Sequence, residues 1–216
     1  MKLIIGNKNY SSWSLRPWLL LSMYDIPFEE IRVPLFTEST QETLSRYTNA
    51  GKVPVLHDGD IVVWDSLAIC EYISEQYLAG KGWPVEVAVR AQARSCCAEM
   101  HSGFSHLRQK MPMNCRASGR KVEITPELEA DIKRIIRLWS DLRGKYSDKG
   151  SWLFGEFSIA DCMFAPVVTR FRTYDVTVPE ICSAYMESVL ANEKMQLWYQ
   201  QAAEESEIIK AGEAGV

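Results

Sequence analysis

KVPVLHDGDIVVWDSLAICEYI, residues 52–73, places a proline, a hairpin and a helix start in direct succession. Val55-Leu56-His57 and Ile61-Val62-Val63-Trp64 are short strand formers on either side of Asp58-Gly59-Asp60, and an Asp-Gly turn between such runs predicts a β-hairpin. Asp65-Ser66 follows at once. Both are favoured helix N-cap residues, and Leu67, Cys70, Ile73 and Tyr77 then recur on one helical face. Pro54 has no N–H to give a ladder, which suits the first residue of a strand.

Working outward, KLII at 2–5 reads as a strand, Gly6 to Asn9 as a loop, and residues 12–24 as a helix that tolerates Pro17 only in its first turn. A second strand is expected near 28–33 and a short helix at 41–47. The order β-α-β-α-β-β-α is the thioredoxin-like arrangement, so residues 1–79 are expected to form one such domain. In that arrangement the loop before the third strand carries a cis proline. It exposes the backbone N–H and C=O of Val53, with which an extended peptide can pair. Residues 78–86, LAGKGWPVE, read as a linker. Beyond it the pattern is helical throughout, with one long helix at 87–110 and others at 126–147, 158–171, 179–190 and 193–205. The expected fold class is thus an α/β thioredoxin-like domain followed by an all-α domain over 87–216.

The 216 residues carry a net charge of −4, which implies no basic face and argues against nucleic acid as a partner. No apolar run approaches the roughly 20 residues of a membrane-spanning helix. The opening MKLIIG lacks the apolar core of an export signal, so a cytoplasmic protein is expected. Six cysteines occur without a CxxC pair, which favours free buried thiols. Cys97 and His101 stand four apart, but His106 falls off their face, so no metal site is expected. There is neither a GxSxG elbow nor a glycine-rich phosphate loop.

Asp65-Ser66 carries more than a cap. A helix N-terminus with a free hydroxyl binds carboxylates through its unpaired N–H groups and its dipole. The adjacent Asp65 offers a negative partner for an ammonium group. A site for both groups suits the end of a γ-glutamyl residue, and Val53 suits the peptide that follows it.

YSSWSLR at 10–16, KVPVL at 52–56, WDSLAICEYI at 64–73 and FSIADCMFAP at 157–166 together resemble the cytosolic glutathione transferase family, over nearly the whole length. The last looks like that family's Ser-x-x-Asp cap within the helical domain, here Ser158 and Asp161. SSWSLR resembles the Ser-Ser-Cys-Ser-x-Arg signature of the zeta class, which includes maleylacetoacetate isomerases. Trp13 stands here for the Cys, and Pro17-Trp18 replaces a continuation with a second Arg. The resemblance implies glutathione as co-substrate, no metal, an electrophilic small molecule as second substrate, a homodimer and a role in detoxification. A free thiol has a pKa of about 8.5, and its thiolate is the nucleophile. Ser11, matching the first Ser of the signature, is the expected hydroxyl donor to the sulfur; Ser12 is next and Tyr10 third.

Glutathione contacts are expected from Tyr10, Arg16, Lys52, Val53, Asp65 and Ser66. Electrophile contacts are expected from His101, Phe104 and Arg108, in a stripe with Met100, Met111 and Met113 for most of which bundle core is the plainer reading. Arg170 and Arg172 read as an exposed helix face, with anion contact as the alternative. Arg116, Arg120 and Lys121 read as a solvated loop. With no cysteine before Cys70, a glutaredoxin-like mechanism is not expected. Conjugation of glutathione is the expected activity; glutathione-dependent maleyl isomerisation and non-catalytic glutathione binding are the alternatives.

Overall fold

The computed structural model describes residues 1–216. Its first part contains β1 (Lys2–Ile5), α1 (Ser12–Met23), β2 (Glu29–Arg32), α2 (Thr40–Ser45), β3 (Val55–Asp58), β4 (Ile61–Trp64) and α3 (Ser66–Tyr77). One sheet has the order β2-β1-β3-β4, with β1 parallel to β2 and antiparallel to β3, and β3 antiparallel to β4. Leu3, Ile4, Ile5, Val55 and Leu56 are fully buried, as central strands covered on both faces require. On the edge strand β4, Ile61, Val62 and Trp64 stay exposed. The Val53–Pro54 bond at the head of β3 is cis. The thioredoxin-like order expected from the hairpin outward is therefore the one observed.

Pro17 departs from expectation. It lies inside α1, past the first turn, and removes one helical hydrogen bond. The helix continues because Leu15, Leu19, Leu20 and Leu21 are all buried, α1 being packed between α3 and α7.

The second part is helical: α4 (Val87–Ser102), α5 (Ser105–Lys110), α6 (Pro126–Tyr146), α7 (Ile159–Thr173), α8 (Glu180–Ala191) and α9 (Glu193–Glu204). The single helix expected over 87–110 is two. Phe104 sits in the left-handed region at φ 58° between α4 and α5. The Arg108 side chain folds back to donate to the carbonyls of Gly103 (3.0 Å), His101 (3.5 Å) and Met100, satisfying the end of α4 that the break exposes. Apolar periodicity runs through the break and conceals it. The Ser158–Asp161 capping box is present at the start of α7, whose interior is buried almost all round.

One apolar cluster runs from β1 and α1 through α7 to α8 and α9, so the two parts share a core. The linker is pinned to it: Trp83 is buried, its Nε1 donates to Glu71 (2.8 Å), and the Gly82 carbonyl accepts from Ile159 N (2.9 Å). All six cysteines are free and buried. No helix is long and apolar enough to cross a membrane.

Candidate active site

A cleft of about 710 Å³ opens where the N-terminus of α1 meets the Gly51–Val53 turn and the helical part. Ser11 holds the N-cap position of α1, but its side chain makes no cap hydrogen bond. Its hydroxyl instead shares a 2.7 Å bond with Ser14 Oγ, which also accepts from Gly6 N (3.1 Å). Ser11 lines the cleft with the start of a helix behind it, where the macrodipole favours negative charge. Beside it, Ser12 Oγ accepts from Arg170 Nη2 (3.1 Å), leaving the Ser12 proton free to donate.

Three guanidiniums lie around these hydroxyls. Arg170, buried on α7, also donates to Met111 O (2.7 Å). Arg108 lines the cleft. Arg16 is wholly buried and donates to Ser66 Oγ (3.3 Å), while its Nε and Nη2 have no partner. Arg16 and Arg108 both lie over the Trp13 ring, 4.2 and 4.7 Å from its centroid. None of the three is bonded to a carboxylate. Burial, then repulsion from Arg108 and Arg170, pushes Arg16 down to about 9. Burial, then Arg108, pushes Arg170 down to about 10. Both remain protonated at neutral pH, so the floor of the site is positive.

Of the expected tripeptide contacts, Lys52, Val53, Asp65 and Ser66 line an adjoining hollow together with Trp13 and Trp64, Tyr10 lines the main cleft, and Arg16 lies buried and lines neither. Val53 N–H and C=O have no partner in the chain. Asp65 caps α3 by accepting from Leu67 N (2.8 Å) and Ala68 N (3.3 Å). It does so at φ 76°, a strained conformation for a residue with a side chain, and such strain concentrates at functional sites. Its second oxygen meets His101 Nε2 at 3.0 Å.

Several side chains are placed differently from their sequence reading. His101 joins the Asp65 end, edge-on to Trp13, and does not line the main cleft. Phe104 is buried in the core and is not a lining residue, because the backbone break turns it inward. Tyr10 lines the cleft, but its hydroxyl bonds Glu213 (2.6 Å) and Arg116 (2.9 Å). Arg170 and Arg172 are not an exposed face: Arg170 is buried, and Arg172 donates to Cys115 O (2.6 Å) and lies over Tyr199. Arg116 and Arg120 are not merely solvated, since both bind the segment after α9. That segment gave no sequence signal, its polar residues being indistinguishable from a solvated end.

The model for the N-terminal domain of glutathione S-transferase matches residues 10–76, and that for the C-terminal domain matches residues 123–200. The chain belongs to the glutathione S-transferase family. Among relatives, a dichloromethane dehalogenase of Methylorubrum extorquens is 41% identical over 61 residues, 27% of this chain and 21% of the dehalogenase, so the match spans about a fifth of that protein. Glutathione S-transferase GstB of Escherichia coli is 23% identical over 211 residues, 95% of either protein. Among solved structures, a Burkholderia glutathione transferase homolog with bound glutathione superimposes with a TM-score of 0.71 at 24% identity, over 95% of this chain and 98% of the other. A bacterial zeta-class maleyl pyruvate isomerase gives 0.73 at 21%, over 96% and 100%. At these identities the structural likeness is one of fold.

Proposed function

We propose that this member of the family is a glutathione transferase that holds glutathione as a thiolate through Ser11 and delivers it to an electrophilic small molecule. The observation that carries this reading is Ser11, which lines the cleft at a helix start with its hydroxyl unused as a cap. In the proposed division of labour, residues 1–79 hold glutathione and 87–216 supply most of the electrophile's half of the cleft. The γ-glutamyl carboxylate would meet Ser66 and the start of α3, with the Arg16 charge beneath it. The ammonium would meet Asp65, and the peptide would pair with Val53. The thiol proton leaves to solvent, Ser11 donates to the sulfur, and Ser12 with Arg170 adds to the positive field. The sulfur then forms its bond to the electrophilic carbon, and the leaving group or carbanion takes the displaced electron pair.

A cytoplasmic, detoxifying homodimer accords with this reading, and the exposed Ile61, Val62 and Trp64 of β4 offer an apolar patch for a second copy. The test is a conjugation assay with glutathione against aryl halides, alkyl halides and activated alkenes. The dehalogenase relative makes dihalomethanes a natural addition. Turnover of none of these, with glutathione still bound, would favour a binding module.

Asp65 and His101 supply a separate expectation. Asp65→Ala removes both the ammonium partner and the α3 cap, and is expected to raise KM for glutathione roughly tenfold or more, with KM for the electrophile little changed. His101→Phe is expected to shift the same constant and not the electrophile's. A change confined to the electrophile constant would return His101 to the other half of the cleft.

A second reading, glutathione-dependent isomerisation of a maleyl compound, is favoured by one observation. Arg108 and Arg170 line the cleft and neither meets a carboxylate, so a substrate carboxylate would be their first. On this reading Arg108→Met slows a dicarboxylate substrate about ten- to a hundredfold while sparing a neutral aryl halide. Equal losses on both substrates would speak against it.

A further inference from the structure

Residues 205–216 run back from α9 over the loop Gly6–Ser11, which delivers Ser11 to the cleft. The Glu205 carboxylate accepts from the backbone N–H groups of Lys8 (2.6 Å) and Asn9 (3.1 Å). From the 112–121 loop, Cys115 N donates to Asn9 O (3.1 Å) and Arg116 N to Asn9 Oδ1 (2.9 Å). The Arg116 guanidinium bridges Tyr10 Oη (2.9 Å) and the carbonyls of Glu205 and Glu207. Farther along, three donors converge on the Glu213 carboxylate: Tyr10 Oη (2.6 Å), Asn114 Nδ2 (2.9 Å) and Arg120 Nη2 (2.7 Å). Gly212 lies so close to the Tyr10 ring that any Cβ there would collide with it. No residue of 205–216 lines the cleft, whereas Tyr10, Ser11 and Ser12 do.

We propose that residues 205–216 are a positioning strap for the Ser11 loop, acting through Glu213 on Tyr10 and through Glu205 on the turn before it. The strap touches neither sulfur nor electrophile. It fixes the backbone that aims the Ser11 hydroxyl, and its effect on chemistry rests on the glutathione reading above. Loss of Glu213 leaves the Tyr10 hydroxyl held by Arg116 alone and Arg120 without its carboxylate, while the tripeptide contacts at Val53, Asp65 and Ser66 are untouched. The consequence is a misaimed hydroxyl on a normally bound glutathione.

The experiment compares wild type, Glu213→Ala, Glu213→Gln and Gly212→Val. In Glu213→Ala, kcat is expected to fall roughly tenfold with KM for glutathione unchanged, and the thiol pKa of bound glutathione to rise. Glu213→Gln, whose amide oxygen still accepts from Tyr10, is expected to recover most of kcat. Gly212→Val, which keeps every charge but displaces the ring, is expected to behave like Glu213→Ala. Amide exchange of residues 7–12, followed without glutathione, is expected to quicken in Glu213→Ala and Gly212→Val. Unchanged exchange overturns the strap. Faster exchange with unchanged kcat and thiol pKa overturns its positioning role. If wild type itself forms no thiolate with glutathione, the glutathione reading and the positioning role fall together, and exchange alone decides whether the loop is held.

Discussion

Ser11→Ala is expected to raise the thiol pKa of bound glutathione by about one to two units, back towards the free value of about 8.5. The size follows from what is removed. A hydrogen bond to a charged group contributes roughly 1.5–3 kcal/mol, and one pKa unit corresponds to 1.36 kcal/mol. The sign follows from which form the bond favours: the hydroxyl donates to the thiolate, so its loss favours the thiol. At pH 6.5 the reactive fraction falls with the pKa shift, and kcat/KM drops about ten- to a hundredfold. Well above pH 8.5 the thiolate forms unaided and most of the deficit closes, so the pH–rate profile moves to the alkaline side. KM for glutathione stays near its original value, because Val53, Asp65 and Ser66 are unaltered. Ser12→Ala is expected to cost less, since Arg170 retains Met111 O and its charge stays in place. Thiolate absorbance and the pH–rate profile, taken together on both variants, check this. A Ser11→Ala protein with an unshifted pKa would sink the assignment, and a larger shift in Ser12→Ala would transfer it to that residue.

The residues that made the fold legible were those with a local physical signature. The Asp58-Gly59 turn, the Asp65-Ser66 cap and the Ser158–Asp161 box each state a backbone geometry within a few residues, and each is present in the fold. What escaped was set by partners distant in sequence. Arg170 reads as a surface arginine on its own helix, yet Ser12, 158 residues away, receives its hydrogen bond. Phe104 continues an apolar stripe that periodicity cannot distinguish from helix, and the break is revealed only by the backbone and by Arg108 folding over it. Pro17 argued for a first-turn position, and burial of α1 between α3 and α7 overrode that local preference. Asp65 was legible as a cap, but its 3.0 Å contact with His101 depends on how α4 docks against α3, which no spacing encodes.

Asp161→Ala is expected to be strongly destabilising. Asp161 is 1% exposed, and its carboxylate accepts from Leu153 N (2.9 Å), Ser158 N (2.9 Å) and Ser158 Oγ (3.2 Å). Truncation leaves two buried backbone N–H groups unpaired at about 1–3 kcal/mol each, one of them the Ser158 N–H that Asp161 holds in the capping box, for a total of roughly 2–6 kcal/mol. Against a total stability of about 5–15 kcal/mol, that lowers Tm by roughly 10 °C. Asp161→Asn keeps one acceptor oxygen and is expected to lose less. The consequence reaches the cleft through α7, whose later turns carry Arg170 to Ser12, yet the chemistry at Ser11 is untouched. Activity per folded molecule well below Tm should therefore stay near wild type, with thiol pKa unchanged. This is the reverse of Ser11→Ala, which should retain Tm and lose thiolate. A thermal melt paired with a thiolate titration separates a residue that builds the helix under the site from one that acts on the sulfur. An Asp161→Ala protein with a normal melt would show that the buried carboxylate does not hold α7 in place.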